Sequence, residues 1–219
     1  MKPIKIAVLT SQQSSFIPYA DKFLNELKNR GYYAELFFRH EDIDESYGIV
    51  FILSYFRIIR KEFLEKHSHK IVVHGSDLPN GRGWSPILWQ ILEGKNEIPI
   101  TLFEANEGVD DGDIYFKDKI VFEGHELSRE IRDKQATKTV EMCLRFLENR
   151  DNLKAERQIG KPIYYRKRNP SDSELDIDKS LKEQFNLLRI ANNIEYPAFF
   201  HYKGYKYTLK IFKENEELK

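Results

Sequence analysis

The chain has one cysteine, Cys143, among its 219 residues, so it cannot form an internal disulfide bond. No signal peptide is visible. No apolar run approaches the roughly 20 residues that a helix needs to cross a bilayer. A lone thiol is typical of a protein in a reducing compartment. These absences predict a cytoplasmic protein with no membrane partner.

The chain also has no net charge, because lysine and arginine number 35 and aspartate and glutamate number 35. A surface that binds nucleic acid through its phosphates needs an excess of positive charge. We therefore expect no nucleic-acid partner. The 12 tyrosines and 15 phenylalanines are typical of a folded chain with a sizeable core.

Apolar strands alternate with amphipathic helices along the first 150 residues. This pattern predicts an α/β fold, a mostly parallel sheet with helices on both faces, whose ligands bind beyond the carboxyl ends of the strands. Thr10, Ser54, His74 and the loop after Phe103 are expected at such ends. The expected strands cover 4–10, 33–38, 48–54, 70–73 and 99–103, with a strand pair over 114–122, and the expected helices cover 16–30, 57–66, 86–93 and 128–150.

The rest of the chain divides into two parts. Residues 151–165 are charged and weakly patterned, which indicates a linker. Residues 166–219 are expected to form a small C-terminal α+β subdomain, with a helix over 179–191 and a β-hairpin that turns near Gly204. The expected organisation is thus a catalytic domain over 1–150, a linker and a helix-plus-hairpin subdomain.

The most informative segment begins at His74, which ends an apolar run and precedes G-S-D-L-P-N-G-R-G. A second apolar run leads to the acidic turn V-D-D-G-D at 109–113. This ordered set resembles the folate-dependent formyltransferases, whose signature is N-x-H-P-S-x-L-P-x-x-x-G followed by L-D-x-G. The patterns R-x-P-x-D-S and P-A-F-x-x-x-x-G over 168–204 resemble the C-terminal subdomain of methionyl-tRNA and aminosugar formyltransferases.

The resemblance implies a Rossmann-like formyltransferase fold, N10-formyltetrahydrofolate as co-substrate, and His74 and Asp110 as the catalytic residues. Formyl transfer to an amine places negative charge on the formyl oxygen and releases a proton from the amine. An imidazole suits the oxygen and the leaving nitrogen, and a carboxylate suits the amine proton. The alternatives are a core histidine and an ordinary acidic turn. The order and context of the motifs favour the catalytic interpretation.

Val72 departs from the family pattern, which has asparagine two residues before the histidine. Valine cannot donate a hydrogen bond from its side chain. An active enzyme must therefore replace this donor. Otherwise the chain is a catalytically impaired folate- or nucleotide-binding module.

The resemblance also implies a folate slot made of two backbone stretches, in which main-chain groups read the pterin. Arg57 is the charged residue that matches the family's slot. Plain helix packing is the alternative for Phe56 and Ile59. The expected cofactor-binding residues are Phe56, Arg57, Ile59, Phe103, Glu104 and Val109.

Substrate contacts are expected on two loops. The loop after the first strand opens a helix, whose free N–H groups attract anions, although a capped turn is the alternative. In the loop after His74, Arg82 can pair with a diphosphate and Trp84 can stack on a base or sugar, unless the tryptophan packs on the next helix. The expected substrate-binding residues are Ser11, Gln12, Ser76, Arg82 and Trp84.

A cation loop made of Asp110, Asp111 and Asp113 was the metal-binding alternative. The position at which an EF-hand has its closing glutamate is Val121. No metal is expected.

The expected function is an N-formyltransferase that acts on a UDP- or dTDP-linked 4-amino-deoxysugar, in surface glycan biosynthesis. The zero net charge, the sequence G-R-G-W after His74 and the aminosugar-like C-terminal segment favour a nucleotide sugar. A UDP-linked sugar of the pseudaminic acid type is the finer expectation. Methionyl-tRNA formyltransferase, the impaired binding module and an enzyme acting on an aminoacyl carrier are the alternatives, and a homodimer is the assembly considered.

Overall fold

The structure is a computed structural model that describes residues 4–214. Residues 1–3 of the expected catalytic domain and 215–219 of the expected subdomain lie outside the described residues. The strands are β1 (Lys5–Leu9), β2 (Tyr33–Phe37), β3 (Tyr47–Ile52), β4 (His69–His74), β5 (Asn80–Gly83), β6 (Glu97–Glu104), β7 (Ile114–Val121), β8 (Ile163–Tyr165), β9 (Ala198–Tyr202) and β10 (Tyr205–Leu209). The helices are α1 (Ile17–Asn29), α2 (Lys61–Leu64), α3 (Pro86–Leu92), α4 (Ser128–Asn149) and α5 (Phe185–Ile190). None of these described helices is both long and apolar enough to span a membrane.

A six-stranded sheet in the order β2-β1-β3-β4-β6-β7 forms the centre of the molecule. The strands from β2 to β4 pair in parallel. In contrast, β6 is antiparallel to β4, and β7 is antiparallel to β6. The predicted α/β fold, a mostly parallel sheet with helices, is confirmed.

Both faces of the sheet are covered, because successive side chains of a strand point to opposite faces. Ile6 and Val8 of β1 belong to the larger apolar cluster, which includes residues of α1 and α4. Ala7 and Leu9 belong to a second cluster with residues of α2, and Val72 of β4 packs against it. His74 follows Val72 by two residues and therefore emerges on this second face.

The antiparallel direction of β6 determines where in the structure the loop to the acidic turn begins. Phe103 pairs with Val72 and Glu104 with Ile71, so β6 ends beside the first half of β4. The prediction that the loop after Phe103 starts at the carboxyl edge was therefore wrong. Residues 105–113 run back towards His74. An apolar run alone does not distinguish a parallel from an antiparallel strand.

The predicted strand pair over 114–122 is in fact one continuous strand. The turn was expected near Lys117 and Asp118, but Lys117 pairs with Thr101 and Asp118 with Ile100, so β7 continues through this position without a break. Polar residues near the middle suggested a turn. They are compatible with an edge strand that exposes alternate side chains.

Two predicted helices are much shorter than their apolar spacing indicated. Only Lys61–Leu64 is helical within 57–66, because Arg60 has an extended backbone with φ −91° and ψ 165°. Within 179–191, only Phe185–Ile190 is helical. The preceding turn is held by the Gln184 side chain, which donates to the carbonyl oxygens of Asp176 and Lys179.

Residues 151–165 are more ordered than the featureless linker that their composition indicated. Ile163–Tyr165 forms β8, which pairs in parallel with β5, and Glu156 bridges to Ile114 of β7. β5 was not predicted, since its sequence N-G-R-G is poor in strand-forming residues. The segment connects the two parts of the chain and packs on the larger part. The domain boundaries themselves stay a prediction.

A helix and a hairpin follow, as predicted, and β9 pairs with β10 in antiparallel register. Leu175, Leu188 and Ala198 belong to their small core. Arg189 of α5 is fully buried, and its guanidinium contacts a Glu126 carboxylate oxygen at 2.9 Å and donates to the Glu126 carbonyl oxygen at 3.1 Å. This buried ion pair attaches α5 to the loop before α4.

Glu126 predicts that stability depends on pH in the acid range. Burial alone would raise the pKa of this carboxyl, but hydrogen bonds from Lys134 and from the N–H groups of Glu123 and Gly124 lower it to about 2. The folded pKa lies below the ordinary value of 4.5. The stabilisation is therefore complete above about pH 4.5 and is lost as the pH falls towards 2.

We expect Glu126→Gln to lower the free energy of unfolding at pH 7 and to flatten its decline between pH 4.5 and 2. Urea unfolding at a series of pH values measures both effects. Glu97→Gln is the matched control, because Glu97 forms an exposed pair with Lys119. Parallel pH curves for the wild type and Glu126→Gln would contradict the assignment.

Candidate active site

His74 ends β4 with 11% of its side chain exposed. Its Nε2 atom lies 2.8 Å from the carbonyl oxygen of Gly81. Because a carbonyl oxygen only accepts, this contact assigns a proton to Nε2. The same nitrogen lies 3.7 Å from a carboxylate oxygen of Asp110. That distance is too long for a hydrogen bond but short enough for strong attraction when the imidazole is charged.

Asp110 has a left-handed backbone, with φ 49°. Aspartate adopts this region more readily than most residues do. Its Oδ2 atom accepts a hydrogen bond from the Gly83 N–H at 2.8 Å. Gly83 has φ 96°, and a Cβ there would lie 2.5 Å from the carbonyl oxygen of Tyr165, so glycine is required. Four elements therefore meet at Asp110: the end of β4, β5, the acidic turn and β8.

Gln158 fixes the acidic turn from a segment in which no motif had been found. Its side-chain amide donates to the carbonyl oxygens of Asp110 at 2.9 Å and Gly112 at 2.8 Å. Its Oε1 atom accepts from Arg82 at 2.7 Å. The charged surroundings of Gln158 carry no sequence signal for this role, which depends on the pairing of β5 with β8.

Arg82 has different partners from the diphosphate that we predicted. Its side chain is 8% exposed and forms an ion pair with Asp111 in addition to its contact with Gln158. A buried and neutralised guanidinium supports the turn, so the prediction is corrected. Among residues 4–214 no cluster of three or more histidine, cysteine, aspartate or glutamate side chains could hold a metal ion.

Val72 lies on the same face as His74 and packs against the second apolar cluster. It pairs with Ile52 on one side and Phe103 on the other. Ser76, two residues after His74, is buried, and its hydroxyl has no hydrogen-bond partner within the described part of the chain. This hydroxyl is an unpaired donor close in sequence to the missing amide.

The three residues of the first expected folate stretch, Phe56, Arg57 and Ile59, have different surroundings. Phe56 is 55% exposed, and its N–H donates to the Ser11 hydroxyl at 2.8 Å. Ile59 packs against the second apolar cluster. Arg57 instead binds Glu41 through both ends of its guanidinium, so the structure gives its charge another partner.

The residues of the second expected folate stretch, Phe103, Glu104 and Val109, lie in two different environments. Phe103 is buried within β6. Glu104 accepts hydrogen bonds from the Lys70 N–H at 2.6 Å and the Tyr115 hydroxyl at 2.8 Å. Burial alone would raise the pKa of Glu104, but hydrogen bonds from His69 and the Lys70 N–H outweigh it and lower the pKa. These two side chains support the base of the loop, whereas Val109 is exposed beside Asp110.

An exposed aromatic pair lies next to the loop of His74. The ring centroids of Phe56 and Trp84 are 6.2 Å apart, and Trp84 is 41% exposed. The Lys167 ammonium lies 4.9 Å from the Trp84 ring centroid. Of the other expected substrate residues, Ser11 contacts this pair, because its hydroxyl accepts the Phe56 N–H. Gln12 is exposed on the turn after β1, and Ser76 is buried. Lys167 was not predicted, because it is one of three consecutive basic residues.

Residues 27–147, more than half of the chain, match the family model described as formyl transferase. The chain belongs to the formyltransferase family. The methionyl-tRNA formyltransferase of Francisella philomiragia is 30% identical over 136 residues, which cover 62% of this chain and 44% of that protein. The chain spans about half the length of the curated relatives it matches.

Solved structures share the fold of this chain at lower identity. The methionyl-tRNA formyltransferase from Clostridium thermocellum has a TM-score of 0.80 and 23% identity, covering 97% of this chain and 96% of that one. A sugar N-formyltransferase from a Shewanella species has 0.70 and 16%, covering 97% and 99%. HypX from Aquifex aeolicus in complex with tetrahydrofolic acid has 0.76 and 20%, covering 95% of this chain and 37% of that one.

Replacing His74 tests whether it takes part in the reaction. We expect His74→Ala to fold and to lower kcat by about two to four orders of magnitude, the usual contribution of a general acid–base group. Formyl transfer is measured by release of tetrahydrofolate. His201→Ala is the control, because His201 is exposed on the hairpin and pairs with Glu174. A folded His74→Ala variant with the kcat of the wild type would overturn the assignment.

Val72→Asn tests whether the site has been rebuilt around valine. Loss of one oxyanion donor costs roughly 2.7–4 kcal/mol in characterised enzymes. A large rise in kcat would therefore mean that the missing donor limits the reaction. We expect no rise, because an asparagine would disrupt the apolar contacts of Val72 and the unpaired Ser76 hydroxyl offers another donor. Circular dichroism and thermal unfolding would establish that the variant is folded.

Proposed function

We propose that this formyltransferase transfers a formyl group from N10-formyltetrahydrofolate to the amine of a UDP- or dTDP-linked 4-amino-deoxysugar. The observation that carries the chemistry is the 3.7 Å approach of His74 Nε2 to the Asp110 carboxylate. These two residues occupy the histidine and aspartate positions of the family signature. We also propose that the enzyme is cytoplasmic and takes part in surface glycan biosynthesis.

The two side chains suit the two proton movements of the reaction. The amine forms a new C–N bond to the formyl carbon, the C–N10 bond breaks, one proton leaves the amine and one reaches N10. Asp110 accepts the amine proton. In its doubly protonated form His74 stabilises negative charge on the formyl oxygen and then gives one proton to the leaving nitrogen, which leaves a neutral imidazole. Partial burial of both groups strengthens these interactions.

The loops at 54–60 and 105–109 are suited to hold folate by main-chain contacts. Both lie outside the strands, so, apart from the Ala105 N–H that donates to the Lys70 carbonyl oxygen of β4, their backbone groups are not used by the central sheet. Ser54 has φ 52°, and Ser11 fixes the next turn by accepting the Phe56 N–H. Recognition by backbone places little demand on side chains. It is therefore compatible with the pairing of Arg57 to Glu41.

The aromatic pair supports a nucleotide as the carrier of the amine. A base stacks on a flat ring such as Trp84, and the Lys167 ammonium beside it attracts a phosphate. Trp84 is held close to the reacting groups, because its backbone N–H donates to the Tyr165 carbonyl oxygen at 3.0 Å. The preceding residue, Gly83, donates to Asp110.

Two other functions have specific support. The curated relatives named methionyl-tRNA formyltransferase favour a tRNA substrate. The zero net charge favours the sugar, because tRNA binding requires positive surface charge. Val72 favours an impaired folate- or nucleotide-binding module, because the family's amide is absent there.

The deciding experiment offers formyl-tetrahydrofolate with a UDP-4-amino sugar, a dTDP-4-amino sugar or methionyl-tRNA, and identifies the formylated product by mass spectrometry. We expect a formylated nucleotide sugar. Formylation of methionyl-tRNA alone would establish the second candidate. Folate binding without formylation of any amine would establish the binding module.

Lys167→Ala tests the nucleotide site. We expect KM for the nucleotide sugar to rise roughly tenfold, since a hydrogen bond to a charged group contributes about 1.5–3 kcal/mol. The kcat and the KM for the folate should hardly change. Lys210→Ala is the control, because Lys210 is an exposed lysine that directly follows β10 of the C-terminal hairpin. An unchanged KM in Lys167→Ala would exclude this phosphate contact.

A further inference from the structure

We propose that Gln158 is a positioning residue that sets the place of Asp110. The inference rests on the proposed function, in which Asp110 accepts the amine proton. It assigns a role in the reaction to a side chain that lies 11 residues beyond the segment matching the family model (158 − 147 = 11).

Both polar atoms of the Gln158 side-chain amide form hydrogen bonds. Its nitrogen donates to the carbonyl oxygens of Asp110 and Gly112, so both amide protons hold the backbone of the turn. Its oxygen accepts from Arg82 at 2.7 Å. Arg82 in turn pairs with Asp111. One planar group therefore connects three consecutive residues of the acidic turn to β5.

The backbone of Asp110 needs such support. Its φ of 49° is a conformation that non-glycine residues keep when the surroundings enforce it. Gly112 adds a further constraint, because a Cβ there would lie 1.5 Å from the Glu104 carbonyl oxygen. Gln158 donates to the carbonyl groups on both sides of Asp111. Without these bonds the turn can relax, and the carboxylate can leave the Gly83 N–H that fixes it at 2.8 Å.

Gln158→Glu is the sharpest variant, because it keeps the size of the side chain and its contact with Arg82. It replaces the donating amide nitrogen by a carboxylate oxygen that faces two carbonyl oxygens. We expect kcat to fall about 10- to 100-fold, the scale of a small misplacement of a reacting group. The KM for folate and for the amine substrate should change by less than about threefold, since Gln158 contacts neither proposed binding loop.

A second measurement needs no substrate. The Gly83 amide proton should shift upfield in a ¹H–¹⁵N spectrum of Gln158→Glu, because it loses its carboxylate acceptor. Gln184→Glu is the matched control. Gln184 also donates to backbone carbonyl oxygens, those of Asp176, Lys179 and Ser180, but in the C-terminal subdomain. This control should change neither kcat nor the Gly83 resonance.

The outcomes separate this inference from the proposed function. If the wild type formylates a nucleotide sugar and folded Gln158→Glu does so equally well with an unmoved Gly83 resonance, the positioning role is wrong and the function stands. If no amine is formylated but the Gly83 resonance moves, the function fails and Gln158 still sets Asp110. If Gln158→Glu does not fold, Gln158→Leu removes the same donors without a new charge, and the same two readouts decide.

Discussion

β6 runs antiparallel to β4, so the chain leaves the central sheet beside Ile71, away from His74. The loop must then travel back before its aspartate can meet the histidine. The contacts of Gln158 and of the Gly83 N–H with Asp110 hold the loop in this returned position. A parallel strand in the same place would have ended at the carboxyl edge, so the turn would have begun beside His74. The crossover helix of such a parallel strand could then have supported the turn.

The returning loop is held at two points. At its base, Glu104 accepts hydrogen bonds from β4 and β7, and the Ala105 N–H donates to the Lys70 carbonyl oxygen at 2.6 Å. At its tip, Gln158 and the Gly83 N–H hold the backbone and the carboxylate of Asp110. Buried backbone polar groups must find partners, and here side chains supply them in place of a strand ladder. Between these points the Gly108 N–H donates to the Asn106 side chain, and the other main-chain groups of 106–109 have no hydrogen-bond partner among residues 4–214.

The sequence was most informative where the relevant residues are close together in it. The proximity of His74 and Asp110 could be predicted because each lies in a contiguous motif and the two motifs are ordered, while their catalytic roles stay a prediction. Most strands and the long helix followed from periodicity. The direction of β6 could not be predicted, since an apolar run is the same in either direction. β5 contains few strand-forming side chains, and β8, although its Ile-Tyr-Tyr sequence favours a strand, is only three residues long. The two strands pair across about 80 residues, so their pairing gave no local signal. Arg82 was assigned to a ligand for the same reason: its acceptors, Asp111 and Gln158, are distant in sequence.

The pairing of β5 with β8 also sets an order of events during biosynthesis. A ribosome releases the six strands of the central sheet before it reaches Gln158, so the sheet can form while the turn at Asp110 still lacks its clamp. Closing β8 onto β5 spans a long stretch of chain and is an entropically costly late contact. A nascent chain can therefore form the central sheet before the turn at Asp110 is fixed. Until residues 158–165 emerge, that turn lacks the Gln158 hydrogen bonds that hold its backbone.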